Sequence, residues 1–166
     1  MHFSLCKLDL HEIEKLRCDS LAVYLFEDVV PLRGIAGIVD WRLNGMISAL
    51  LQSGVLRAAA GETFLIPLRP RLPIEKLFGF GLGRVGAYGA GRVADTVRGT
   101  FSVLARAAVH STGLMLPGRS ENLYSLEEGM GLLRGILRQT HDLDELVIAD
   151  RFASPEKDLQ EILGRP

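Results

Sequence analysis

The sequence is poor in several things at once. It has two cysteines, Cys6 and Cys18. Neither belongs to a CxxC pair, and no histidine is spaced to complete a zinc site. Isolated thiols of this kind read as reduced and intracellular, in or near strands; one disulfide closing the short loop between them is the alternative. Excess charge is missing too. The formal net charge is -1 at pH 7, from 19 Lys+Arg and 20 Asp+Glu. That balance argues against duplex nucleic acid as a partner and against an acidic tail protein. Long hydrophobic runs are also missing. No stretch approaches the roughly 18–20 apolar residues of a membrane span. The alternating start Met1–Leu10, with Lys7 and Asp9, lacks the apolar h-region of a signal peptide. The expectation is a cytoplasmic protein with no membrane partner.

What is present is an ordinary globular composition. The chain has 166 residues, 48% hydrophobic and 23% charged, enough to bury a core without staples. It reads as one domain over 1–166, with a short helical tail at 154–164 opened by Ser154-Pro155. Glycine is the one excess, at 18 residues.

Strand and helix patterns alternate along the chain. Phe3 to Leu10 alternates as a strand whose apolar phase switches midway. Leu21–Phe26 is apolar throughout, as a strand covered on both faces is. Leu43, Met46, Ile47, Leu50 and Leu51 recur at helical spacing in a segment that Pro31 opens and Gly54 stops. Phe64–Leu68 and Leu77–Leu82 read as short strands, the second broken by Gly79 and Gly81. A long helix is expected over about 89–110, burying Val93, Val97, Phe101, Leu104 and Ala108. Arg92, Arg98 and Arg106 fall on its opposite face, with Asp95 in the same arc. Leu114–Leu116 is a strand ending at Pro117-Gly118. Ser125 and Glu128 form a capping box for a helix to about Thr140, and Leu146–Ala149 is the last strand. This alternation implies an α/β fold with a mainly parallel sheet and helices on both faces.

The sharpest local motif is Gly81-Leu82-Gly83-Arg84-Val85-Gly86, a G-x-G-x-x-G between a predicted strand and a predicted helix. Its glycines would let backbone N–H groups meet a phosphate at a helix N-terminus. The position about 20 residues on, where a ribose-binding acid belongs, holds Arg106, and the motif lies mid-chain. The other reading is a glycine-rich turn that needs positive φ and close packing. His2, His11, His110 and His141 are scattered and read as structural or surface residues, with no G-x-S-x-G nucleophile elbow nearby. Asp142, Asp144 and Glu145 read as solvated acids. Asp40 is placed to cap the helix carrying Leu43 and Ile47. Trp41, the only tryptophan, is expected to be buried and to anchor that helix start. Arg42 is expected to pair with an acid.

Four stretches together resemble a known family: Leu21–Glu27, then Pro31–Gly45 with its Arg33-Gly34 and Asp40-Trp41-Arg42-Leu43-Asn44-Gly45, then Gly61-Glu62 before a strand, then Phe80-Gly81-Leu82-Gly83. They resemble the N-terminal domain of the leucyl aminopeptidases, the two-metal cytosol aminopeptidases. The resemblance runs from about Asp19 to Gly83; beyond it only the order of helices and strands agrees. It implies a macro-domain-like, three-layer α/β/α sandwich with a mixed, mostly parallel sheet. It also makes Arg33, Gly34, Asp40, Trp41, Arg42, Asn44 and Gly45 a structural family motif. The family's lysine and carboxylate metal ligands lie in a separate C-terminal domain, on an Asn-Thr-Asp-Ala-Glu-Gly-Arg stretch that this sequence lacks. Two-metal hydrolysis needs such carboxylates, so no catalytic residue, metal or cofactor is expected here. The resemblance implies a stand-alone, non-catalytic interaction module that self-associates or docks onto a full-length aminopeptidase. The alternative is a macro-like binder of a phosphate-bearing molecule, a nucleotide or ADP-ribose, at Gly81, Gly83, Arg84 and Gly86.

Overall fold

Alternation of buried side chains along the strands sets up two apolar layers, one on each side of a sheet. In the computed structural model, which describes residues 2–138 and 143–153, the strands are β1 (His2–Lys7), β2 (Ser20–Leu25), β3 (Thr63–Pro67), β4 (Lys76–Gly81), β5 (Ser111–Leu114) and β6 (Glu145–Asp150). They form one sheet in the order β1-β6-β5-β2-β4-β3. Every neighbouring pair is parallel except β3 with β4. β3 is an edge strand, which is where Pro67 is tolerated.

Leu21, Val23 and Leu25 of β2, with Val147 and Ala149 of β6, pack against α1 (Leu10–Lys15), α2 (Gly34–Arg42) and α3 (Met46–Gln52). Ala22 of β2, Phe78 and Phe80 of β4, and Leu146 and Ile148 of β6 pack against α4 (Ala90–Arg106) and α5 (Leu126–Leu137). The α/β/α layering and the mostly parallel sheet follow from this alternation. Among the described residues no helix is long and apolar enough to cross a membrane.

Several elements differ from the sequence expectation. β1 ends at Lys7 because Asp9 N-caps a short helix, its carboxylate accepting from Glu12 N at 2.9 Å. The helical segment after Pro31 is two helices, not one. Asn44 and Gly45 both hold positive φ, 56° and 76°, and break it. Leu43 and Ile47 still face the same core, which is why their spacing mimics one helix. The helix over 89–110 stops at Arg106, and Ala108 leaves it with φ 51°. β4 runs unbroken through Gly79 and Gly81. The capping box at Ser125 is present, with Glu128 N donating to Ser125 Oγ at 3.1 Å and Ser125 N to Glu128 Oε2 at 2.7 Å. His141, Asp142, Thr140 and the tail at 154–164 lie outside the described residues.

Candidate functional site

β2 and β5 are parallel neighbours, yet the chain leaves them in opposite directions, from β2 toward the β4–β3 side and from β5 toward β6. In open α/β sheets the crevice at such a switch point, beyond the carboxyl ends of the strands, is where ligands bind. Its two lips here are the segment 26–34, leading into α2, and the segment 115–124, leading into α5. Gly34 has φ +62°, and a Cβ there would stand 2.8 Å from Met115 Sδ and 3.2 Å from Ser120 Cβ. The cavity between the lips at Gly34, Met115 and Ser120 is about 10 Å³, no more than one water fills. Arg33 is exposed beside it.

The second lip is fastened from beneath. Arg119 is buried, with Nε 2.8 Å from Asp150 Oδ2 and Nη2 3.2 Å from Asp150 Oδ1. Its Nη1 donates to the Tyr124 carbonyl. Tyr124 Oη donates to the Pro117 carbonyl at 2.5 Å, and burial raises its phenol pKa well above the ordinary value. Met115, Arg119, Ser120 and Asp150 carry no local motif, and the sequence reading passed over all four.

The residues of the family-like block have definite places. Asp40, buried near the end of α2, caps α3 across the intervening turn: Oδ1 accepts from Ile47 N at 2.7 Å and Ser48 N at 3.2 Å, and Oδ2 from Ser48 Oγ at 2.5 Å. The N-cap position itself is Gly45. Trp41 is 67% exposed, which corrects the expectation of a buried anchor. It stands in the last turn of α2 rather than at a helix start, and Val39 and Asp40 take the inward positions. Arg42 Nε lies 2.9 Å from Glu14 Oε1, tying α2 to α1.

The glycine motif closes β4. Gly81 N donates to the Glu62 carbonyl at 2.8 Å and Gly83 N to the Ala58 carbonyl at 3.0 Å. A Cβ at Gly81 would sit 2.1 Å from the Ala59 carbonyl oxygen, and Gly83 has φ +76°. The next amide, Val85 N, donates to Asp28 Oδ1 at 2.9 Å. A 3₁₀ turn, Val85–Ala87, then intervenes, and α4 starts only at Ala90. Arg84 and Gly86 are exposed. So Gly81 serves close packing, Gly83 serves a left-handed turn, and Arg84 and Gly86 stand at the surface.

Chemical groups elsewhere are dispersed. Cys6 and Cys18 are free and buried, and desolvation is the main cause that pushes each thiol up to about 11. His2 stands 3.9 Å from Glu145 and His110 3.8 Å from Asp144, all at the surface. Among the described residues no three His, Cys, Asp or Glu side chains gather as a metal site. Arg92, Arg98 and Arg106 are exposed on α4, with Arg98 2.9 Å from Asp95. Open cavities lie elsewhere among the described residues. A groove of about 330 Å³ lies between the segment 26–32 and the end of α3, lined by Phe26, Val29, Val30, Leu51 and Leu56. A cleft of about 440 Å³ lies between α4 and the start of β3.

Comparison with known proteins agrees with this architecture. The sequence model of the cytosol aminopeptidase family, N-terminal domain, matches residues 22–137. A probable cytosol aminopeptidase of Nostoc punctiforme is 33% identical over 90 residues, 54% of this chain and 17% of the relative. The chain spans about a sixth to a quarter of the length of the curated relatives it matches. A mutant tomato leucine aminopeptidase superposes with a TM-score of 0.63 at 13% identity, covering 98% of this chain and 34% of that one. A Trypanosoma brucei macrodomain in complex with ADP-ribose superposes with a TM-score of 0.72 at 15% identity, covering 98% of this chain and 69% of that one.

Proposed function

The chain belongs to the cytosol aminopeptidase family by way of that family's N-terminal domain, and on this premise we propose that it is a non-catalytic binding and regulatory module. Its partner is the peptidase portion of a cytosol aminopeptidase polypeptide. The observation that carries this reading is the filled crest. Where a sheet of this topology takes a small ligand, Gly34, Met115 and Ser120 leave about 10 Å³. Apolar surface stands elsewhere instead. Val30 is 80% exposed on the lip of the 26–32 groove, and Val55 is 68% exposed beside its floor residue Leu56. The groove of about 330 Å³ beside Val30, lined by Phe26, Val29, Leu51 and Leu56, offers an apolar seat for a partner. The relatives carry the matching stretch inside much longer polypeptides, which supports a large protein body as the occupant.

Light scattering after size exclusion tests the docking, with the protein mixed with the cytosol aminopeptidase of its own cell. A stable complex that the V30E substitution abolishes is the expected result. No complex at high micromolar concentration would overturn the partner. Release of amino acids from leucyl p-nitroanilide by the purified chain alone, with manganese or zinc added, would overturn the non-catalytic role.

A second reading has one observation of its own, the likeness to a macrodomain in complex with ADP-ribose. Under it, a nucleotide or ADP-ribose binds beside Gly81, Gly83, Arg84 and Gly86, with the exposed Arg84 meeting its phosphate. A melting temperature that climbs with ADP-ribose concentration and flattens in R84A supports it. A flat response in the wild type counts against it.

A further inference from the structure

The cleft of about 440 Å³ beside α4 is of a size typical of small-molecule sites, about 300–1,000 Å³. One wall is a strip of α4 at helical spacing: Arg92, Asp95, Thr96, Gly99, Thr100 and Val103. The facing wall is the loop at 60–63 and the end of β4, which brings Glu62, Phe80 and Leu82.

Gly99 sits in the interior of α4, where glycine is the poorest helix former after proline. A Cβ there would meet nothing within 4 Å, and the same holds for Gly61 across the cleft. No packed neighbour requires Gly99, which leaves the cleft open, while Gly61 serves its own left-handed turn at φ +86°.

The hydroxyls on this strip point their protons into the protein. Tyr88 Oη donates to Thr96 Oγ1 at 2.9 Å, and Thr96 Oγ1 to the Arg92 carbonyl at 2.9 Å. Thr100 Oγ1 donates to the Thr96 carbonyl at 3.0 Å, which leaves Tyr24 as the donor in its 3.1 Å contact with Thr100. The oxygens therefore have lone pairs to offer and no protons.

The charges on the two walls do not neutralise each other. Arg92 Nη1 donates to the Ala87 carbonyl at 3.3 Å, and among the described residues no carboxylate oxygen lies within 4.0 Å of its guanidinium. Glu62 accepts from the Arg57 amide at 3.0 Å. The cleft thus carries Arg92 and Asp95 on one wall, the latter held by Arg98, and Glu62 on the other, beside the apolar Phe80, Leu82 and Val103.

We propose that this cleft binds a small zwitterion with an apolar body, of the class of a free apolar α-amino acid. The ligand carboxylate lies on Arg92 and its ammonium on Glu62, and the side chain covers Phe80, Leu82 and Val103. Neither reading of the chain's overall role enters this assignment.

The test titrates the purified protein with L-leucine, L-methionine and L-phenylalanine, by calorimetry and by thermal shift. Isoamylamine and 4-methylpentanoate, each lacking one charge of leucine, serve as controls. At least one amino acid should bind saturably and raise the melting temperature with concentration. Where leucine binds, both controls should be at least about tenfold weaker, since each forfeits a charge-assisted contact. R92L and E62Q should each weaken binding by about tenfold on the same grounds. G99L should raise the melting temperature of the free protein, because leucine is the better helix former, and yet abolish binding by filling the cleft. In ¹⁵N spectra the shifted amides should gather around Gly61 and Gly99. Any of three results overturns the proposal: no saturable response to the three amino acids, binding that G99L leaves intact, or shifts that gather elsewhere.

Discussion

At the scale of single residues, Asp19 shows how one carboxylate ties two strands. It precedes β2 and reaches the start of β5, where its Oδ2 accepts from His110 N at 2.9 Å and Ser111 N at 3.0 Å. Its own amide donates to Ser111 Oγ at 2.8 Å. Partial desolvation pushes its pKa up, but the hydrogen bonds from His110 and Ser111 outweigh that and hold it below the ordinary 3.8. A carboxyl with a depressed folded pKa adds stability above its unfolded pKa and loses it as pH falls through the folded value. D19N should therefore lower the urea midpoint at pH 7, and the gap from wild type should close as the pH drops below about 4. Superimposable curves at neutral pH would show that the bonds contribute nothing. Asp40 was legible in part: its short acidic side chain does cap a helix, but from inside α2 and across the turn onto α3, whose N-cap is Gly45. Trp41 was not legible. Aromatic character argues for burial, but the phase of α2, with Ile35, Ala36, Val39 and Asp40 inward, turns Trp41 out.

At the scale of elements, the glycines of β4 explain why a strand that looks broken is continuous. Gly79 pairs with Phe64 of β3 across the antiparallel ladder. The phenyl ring lies over it, so that a Cβ would fall 1.9 Å from Cζ. The ring supplies the cover that glycine itself lacks. G79A should cost about 1–3 kcal/mol by overpacking, read from chemical denaturation. In an F64A background the same substitution should cost much less, since the two residues are coupled by contact. An undiminished penalty would place the strain in the backbone instead. The elements read best from sequence are those whose signals are local. Ser125 and Glu128 announce α5, and the 3.6-residue repeat of Val93, Val97, Phe101 and Leu104 announces α4. The break at Asn44-Gly45 was hidden because the apolar spacing continues through it. The short α1 was hidden because six residues carry too little periodicity to register.

At the scale of the whole molecule, the crest between β2 and β5 was not legible at all. Its closure is made by Gly34, Met115 and Ser120, and its fastening by Arg119 and Asp150, residues that meet only once the sheet is assembled. The glycine motif drew attention because its spacing is local, yet two of its amides are spent on Glu62 and Ala58. Arg119 and Asp150 form a bidentate pair away from water. Removing one partner strands a buried charge, which costs about 3–5 kcal/mol. R119A should lose that much by denaturation, whereas R119M combined with D150L should recover most of it. If the double substitution is as unstable as the single one, packing rather than charge is what Arg119 provides.

The strand order also has a consequence in time. Among the described residues β1 has one strand neighbour, and that neighbour is β6. Among the described strands, the first in sequence therefore pairs only once the sixth has been made. The ladder of β2, β4 and β3 closes over nearer segments, and contacts of short separation form sooner. β6 also brings Asp150, the partner of Arg119. The arrival of β6 thus both completes that edge of the sheet and locks the lip of the crest, after β2, β3 and β4 have already been made.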